Sequence, residues 1–329
     1  MEITGTKYRQ LAGTGIQCFF AFGQITLSIL AYYIREWRNL QLAMTLLSAP
    51  VMLIYFMVPE SPRYLLNTGD VEQVDVIVRK IAASNDKDAK EIEIMSRNLI
   101  NHGGNTGQDE AENQGTASFF DMFKRKSMAL VTIKTCFLWV TVSLSFYGVS
   151  LNTNKMRGNI FVNNVISGLA ELISCCTIAP YLADKFPYRK SLSACYGIGG
   201  ICFLLCYIGE NYGIDWRLAT FIGFLAKFFI ASAFAIIYNF TAGLFPTAVR
   251  GNAVSLASSS ARFGSMLIQG AKFLGTSIDV VTGWSQSIFL IFAVITIVSV
   301  LVILTMPETF GKPMIQTYED ADKLYKNKG

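Results

Sequence analysis

Eight apolar runs of 18 to 27 residues divide this 329-residue chain. A run of that length is what an α-helix needs to cross the hydrocarbon core of a bilayer, ~20 residues rising ~1.5 Å each. The runs cover 11–34, 40–58, 128–151, 160–183, 191–208, 218–244, 253–274 and 288–306. The seventh is the least apolar, carrying five serines and Arg262. Small residues are what helix contacts inside membranes favour, so it too is read as a span. The 16% of charged residues is well below the ~25% of a soluble domain. The fold class expected is an all-α membrane protein of about eight transmembrane helices.

The formal net charge of +5 would suit a nucleic-acid partner if it were gathered into one patch. Instead it is sorted by topology. With Lys7 and Arg9 inside, the segments 1–10, 59–127, 184–190, 245–252 and 307–329 hold 19 Lys/Arg, against five in the outer loops. Inner loops of membrane proteins carry that excess, so both termini are expected on the cytoplasmic side, with a lipid bilayer and no nucleic acid as surroundings. All seven cysteines fall inside apolar runs, where packing is the simplest role. The single histidine, His102, lies in a Gly/Asn-rich loop without the neighbours a metal centre or a histidine-based catalytic set requires. No metal, no cofactor and no enzyme chemistry is expected. The first apolar run is too long for the h-region of a cleavable signal and reads as a signal anchor.

The polar segment 59–127 is too long for an ordinary connection and sets two spans, 11–58, apart from six, 128–306. Within it, 71–94 has apolar residues at 71, 74, 77, 78 and 81, the spacing of an amphipathic surface helix. Asn98 to Gln114 reads as a flexible connector. Ser118 to Lys126, with Phe119, Phe120 and Phe123 before a basic cluster, reads either as a helix at the inner membrane surface or as a solvated helix packed on the loop. The last segment, 307–329, is a cytoplasmic tail.

Four strings stand at predicted cytoplasmic helix ends: Pro59-Glu60-Ser61-Pro62-Arg63, Asp184-Lys185-Phe186-Pro187-Tyr188-Arg189-Lys190, Phe245-Pro246-Thr247-Ala248-Val249-Arg250 and Pro307-Glu308-Thr309-Phe310-Gly311. Clusters of Pro, Glu and Arg in this setting stop helices and offer charge-assisted hydrogen bonds to neighbouring loops. Together with Tyr8-Arg9, Ala31 to Arg38 and Ile236-Ile237-Tyr238, they make the chain resemble the major facilitator superfamily, and within it solute carrier family 22, the organic cation, carnitine and organic anion transporters. Sugar porters share two of the strings, but their Gln-Gln-rich motif has no counterpart in Thr135 to Gly148. The resemblance implies the major facilitator fold, begun near the cytoplasmic end of the family's fourth span, so that the first three to four spans are missing and 1–10 is the end of a preceding span. It also implies a plasma-membrane location, a small organic ion as substrate, an unspecified coupling ion, and gating roles for Glu60, Arg63, Asp184, Arg189, Arg250 and Glu308. Gly243 and Phe186-Pro187-Tyr188 depart from the family pattern.

Charges inside apolar runs are costly, ~2.5–3.5 kcal/mol each at the bilayer centre, and normally face a partner or a wet cavity. Glu171, at the middle of the fourth run, Arg262, near the middle of the seventh, and Lys227, a third of the way into the sixth, are therefore candidate substrate-binding residues. A structural ion pair between Glu171 and Arg262 is the competing reading. Lys134 and Lys272 lie near enough to span ends to snorkel. Trp139, Phe146, Tyr147 and Tyr238 lie at depths where they can line a cavity and hold a cation by the ring face; for each one singly, packing in the helix bundle is the simpler reading. From the resemblance, a cavity with both signs of charge suits a carnitine-like zwitterion, its ammonium near Glu171 and its carboxylate near Arg262. The leading expectation is transport of small organic ions by alternating access. A truncated non-transporting membrane protein, or a partner of a full-length transporter, is the second reading; a sugar-porter-like carrier is the third.

Overall fold

A computed structural model of the chain describes residues 9–51, 65, 71–84, 121–152, 158–283, 287–311, 315 and 318–326. Every regular element among them is helical. In chain order they are α1 (Arg9–Tyr33), α2 (Trp37–Ser48), α3 (Val71–Ser84), α4 (Asp121–Lys124), α5 (Lys126–Asn152), α6 (Ile160–Ile173), a π-helical turn (Ser174–Ile178), α7 (Ala179–Lys185), α8 (Tyr188–Tyr212), α9 (Trp216–Leu244), α10 (Thr247–Thr282), α11 (Ile288–Leu304) and α12 (Tyr318–Lys326). Two compact units emerge, one of residues 36–117 with 1–9 and the other of 10–35 with 118–329.

In the smaller unit the periodicity at 71–81 does what an amphipathic pattern must. Val74, Ile77 and Val78 are buried together with Leu65, and Ile81 packs against them, while Glu72, Val76 and Arg79 stay exposed. Asp75 and Arg79, one turn apart at 2.7 Å, brace the polar face. The helix is described as far as Ser84; the rest of the predicted 71–94 segment and the connector 98–114 lie outside the described residues. So do residues 52–58 of the span predicted at 40–58, whose first half is α2.

The larger unit is a bundle. Four stretches are long and apolar enough to cross a membrane: Lys126–Asn152, Ile160–Lys185, Tyr188–Tyr212 and Trp216–Leu244; α11 is apolar but shorter. α5 packs against α9, α10 and α11, and α8 lies between α9 and α11. The serine-rich seventh run forms one continuous helix of 36 residues, about 54 Å long at ~1.5 Å per residue. Its buried stripe of Ala253, Ala257, Ala261, Ile268 and Ala271 lets α10 approach α5 closely. At Gly264 a Cβ would collide with the backbone carbonyl of Val140, so the crossing requires glycine there. The span predicted at 160–183 is interrupted. Pro180, near the start of α7, has no N–H for the carbonyl of Cys176, and the chain widens into the π turn just before it. Of the segment predicted as a surface helix, Ser118 to Lys126, residues 118–120 lie outside the described residues; the described part is α4, which bends at Arg125 into α5, with Met122 fully buried.

Candidate functional site

Lys227 of α9 is 0% exposed and Glu171 of α6 only 2%. Each sits in an apolar run, so each must be compensated where it lies. The ammonium donates to Ser167 Oγ of α6 at 2.8 Å, Ser150 Oγ of α5 at 2.9 Å and Gln24 Oε1 of α1 at 3.3 Å. These three acceptors match its three N–H groups. Glu171 Oε2 lies 3.4 Å from Nζ and completes the charge balance. The expected alternative of a Glu171–Arg262 pair is thus corrected: the lateral order of the helices puts α9, not α10, beside α6, and the acid meets Lys227. One turn further along, Ser174 and Ser232 join the same two helices at 2.6 Å.

Phe146 forms the wall between this cluster and an open cavity. Lys227 Nζ stands 5.0 Å from its ring centre, within cation–π range, and the same side chain lines a cavity of about 180 Å³ together with Gln17, Phe20, Trp139, Ser143, Tyr147, Phe234, Tyr238, Ser258, Ala261 and Arg262. Of the predicted residues, Trp139, Phe146, Tyr147, Tyr238 and Arg262 are brought together here, and Glu171 and Lys227 lie behind the wall. Trp139 is fully buried, with its indole N–H donating to Thr241 Oγ1 at 2.9 Å, so the ring is fixed and edge-on to Tyr238 at 4.5 Å between centres. Arg262 is exposed and carries the one formal charge among the described lining residues. Ser143 is buried, and its hydroxyl has no partner among the described residues.

Sequence reasoning missed Gln17, Phe20, Ser143, Phe234 and Ser258 at the cavity, and Gln24, Ser150 and Ser167 around Lys227. A signal was present. Gln17 and Gln24, Ser143 and Ser150, Trp139 and Phe146, and Lys227 and Phe234 are each seven residues apart, two helical turns along one face. A polar residue repeated at that interval inside an apolar run marks the face turned to other helices.

Of the predicted gating residues, Asp184, Arg189 and Arg250 lie at ends of α7, α8 and α10, and Glu308 follows α11. Helix α8 starts at Pro187-Tyr188, where no side chain of its own caps the first turn. Glu308 supplies the missing acceptor: its Oε2 takes the Arg189 backbone N–H at 3.0 Å, and its Oε1 takes those of Thr309 and Phe310 at 2.9 and 3.0 Å. A carboxylate at a helix N-terminus also meets the positive end of the helix dipole. Arg189 and Glu308 therefore do meet, but through the backbone; the guanidinium turns to the carbonyl of Met306. Arg250 donates to the carbonyl of Ile315 at 3.0 Å, and Asp184 is exposed at the end of α7. The tail helix α12 is held by Arg125 to Asp322 at 2.6 Å and by the Tyr325 hydroxyl donating to Leu244 O at 2.7 Å. Burial, reinforced by Asp322, pushes the Tyr325 phenol above its ordinary range and keeps it a donor. Lys134 reaches Thr305 Oγ1 at 2.8 Å, as a lysine near a span end does. Glu60 and Arg63 lie outside the described residues.

Comparison with known proteins places these features. A family model described as "Sugar (and other) transporter" matches residues 1–321. The human organic cation/carnitine transporter 2 is 30% identical over 331 residues, covering 100% of this chain and 56% of the relative. A Drosophila melanogaster organic cation transporter protein is 32% identical, covering 99% and 58%, and the mouse solute carrier family 22 member 3 is 31% identical, covering 98% and 55%. The chain thus spans a little over half the length of these relatives. Among solved structures, the proton:xylose symporter XylE bound to 6-bromo-6-deoxy-D-glucose superposes with a TM-score of 0.70 at 18% identity, over 98% of this chain and 69% of that one. Its inward-open form from E. coli superposes at 0.61. At that identity the likeness speaks for the fold, which is that of the major facilitator superfamily.

Proposed function

Because the chain belongs to the sugar (and other) transporter family and is an integral, multi-pass membrane protein, we propose that it moves a small organic ion across the plasma membrane by alternating access, with Arg262 and the aromatic cavity holding the ion. The relatives named above include proteins called organic cation and carnitine transporters, which favours an organic ion over a sugar. The observation that carries the reading is the cavity itself. Its formal charge is one guanidinium, and its walls are Trp139, Phe146, Tyr147 and Tyr238. A guanidinium binds a carboxylate bidentately, and aromatic faces attract a quaternary ammonium. About 180 Å³ is below the ~300 Å³ at which drug-sized ligand sites begin, which fits a compact solute. The ligand suited to this set is a betaine or carnitine-like zwitterion, with its carboxylate on Arg262 and its ammonium against the rings. Glu171, neutralised by Lys227, takes a supporting role behind Phe146. Residues 11–58 would belong to one half of the carrier and 128–306 to the other, with Glu60, Arg63, Asp184, Arg189, Arg250 and Glu308 closing the cytoplasmic side.

The test compares a labelled trimethylammonium carboxylate with a tetraalkylammonium ion lacking the carboxylate, each bound to membranes holding the chain. Arg262→Lys keeps the charge and loses the fork. It is expected to weaken the first ligand about tenfold, the factor that ~1.4 kcal/mol makes, and to leave the second unchanged. Equal weakening of both, or of the cation alone, would overturn the reading.

A further inference from the structure

Two thiols from helices far apart in sequence meet beside the site. Cys18 lies on α1, next to Gln17 of the cavity wall, and Cys176 lies in the π turn, just over one helical turn beyond Glu171. Their sulfurs are 3.2 Å apart, within hydrogen-bond distance, and a disulfide needs ~2.05 Å. The π turn produces the meeting. It directs Cys175 inward, 3% exposed, and leaves Cys176 exposed on the opposite side. On α1, Cys18 is half-buried. The two helices are already close at the neighbouring level, where a Cβ on Gly168 would press on Ile25 and touch the Ala21 carbonyl. A modest side-chain movement therefore suffices.

We propose that Cys18 and Cys176 are an oxidisable pair, a modification site at which a peroxide forms a disulfide that staples α1 to the π turn. The Cys176 sulfur attacks one oxygen of hydrogen peroxide, the O–O bond breaks, and the departing oxygen takes up the proton the thiol gives up and leaves as water, giving a sulfenic acid. The Cys18 sulfur then attacks that sulfur, its own proton passes to the departing hydroxyl, the S–O bond breaks, and a second water departs. Two thiols and one peroxide become one disulfide and two waters, with two electrons passing from sulfur to oxygen. Cys175, pointing the other way, takes no part. The staple would fix Gln17 and Phe20 of the cavity wall relative to the helix bearing Glu171. If α1 moves against α6 during transport, the oxidised chain is held in one state. That consequence rests on the transport reading, whereas the bond itself does not.

The full chain in its membrane is treated with hydrogen peroxide, remaining thiols are alkylated, and tryptic peptides are mapped by mass spectrometry before and after reduction. Trypsin releases residues 10–35, with Cys18, and residues 158–185, with Cys175 and Cys176. The expected result is a linked 10–35/158–185 species that reduction dissolves, lost in Cys18→Ser and in Cys176→Ser and retained at its original yield in Cys175→Ser. In the unmodified chain, alkylation of positions 18 and 176 should fall together as peroxide rises, which needs no variant to fold. Absence of the linked species, its persistence in Cys176→Ser, or independent oxidation of the two thiols overturns the proposal.

Discussion

Lys227 and Arg262 are both cations inside apolar runs, and the bundle treats them in opposite ways. Lys227 is wholly buried, meets three hydrogen-bond acceptors and lies near a carboxylate, and ties α9 to α1, α5 and α6. Arg262 is exposed and lines a cavity walled by aromatic rings. The first is a charge whose loss the fold would feel; the second, on the function proposed above, is one whose loss a ligand would feel. One phenylalanine ring, Phe146, touches both environments. What separates a structural charge from a ligand-facing one is whether its donors are already used by the protein.

The sharpest break in this comparison is Lys227→Met. It leaves Glu171 buried without its cation, and breaking a buried pair by removing one partner costs ~3–5 kcal/mol. A large loss of folded chain is expected, read as thermal stability in detergent. The double variant Lys227→Met/Glu171→Met should recover most of it, since apolar replacement of a whole pair is often neutral. If the double variant is no better than the single, the pair is not what matters there.

A smaller effect is expected from Ser167→Ala, which deletes the shortest hydrogen bond to the ammonium. Hydrogen bonds to charged groups are worth ~1.5–3 kcal/mol. The same thermal measurement should fall by less than in Lys227→Met. A drop as large as that of Lys227→Met would mean that the serine, rather than the ion pair, holds α6 to α9.

The smallest change should come from Arg262→Met, which removes an exposed guanidinium with no buried partner. Stability should stay within ~0.5 kcal/mol, as for surface substitutions away from buried networks, while carboxylate binding disappears. Destabilisation comparable to that of Lys227→Met would erase the distinction between the two cations.

Much of this architecture was legible as length. Apolar runs locate the spans because nothing else in a chain demands twenty apolar residues together. Even the serine-rich run is legible as a helix, since Ala257, Ala261 and Gly264 are small where α10 crosses α5. Depth marked Trp139, Phe146, Tyr147 and Tyr238 as able to line a cavity without separating that from packing, and it did not mark Phe20 or Phe234. The partner of Glu171 was not: a sequence states how deep a residue lies and says nothing of which helix stands beside it. Lys227 and Gln24 are 203 positions apart, and Lys227 and Ser167 are 60 apart. Glu308 as the cap of α8 was equally hidden, because a backbone N–H of Arg189 leaves no trace in its side-chain identity.

The π turn has one more effect, on the phase of the span that holds it. Its extra residue rotates the downstream half of the span by about 100°, the angle one residue turns in an α-helix of ~3.6 residues per turn. A helical wheel drawn through Ile160–Lys185 as if it were continuous would assign Tyr181 and Ala183 to the wrong sides. Drawn in two parts, one ending at Ile173 and one beginning at Ala179, the wheel turns Ser167 and Glu171 inward in the first and Ala179 and Ala183 inward in the second, as their burial requires. Any scan of accessible positions along this span has to change register at Ser174–Ile178, and removing a single residue there would swing the far end of the helix, Asp184 included, to a new bearing.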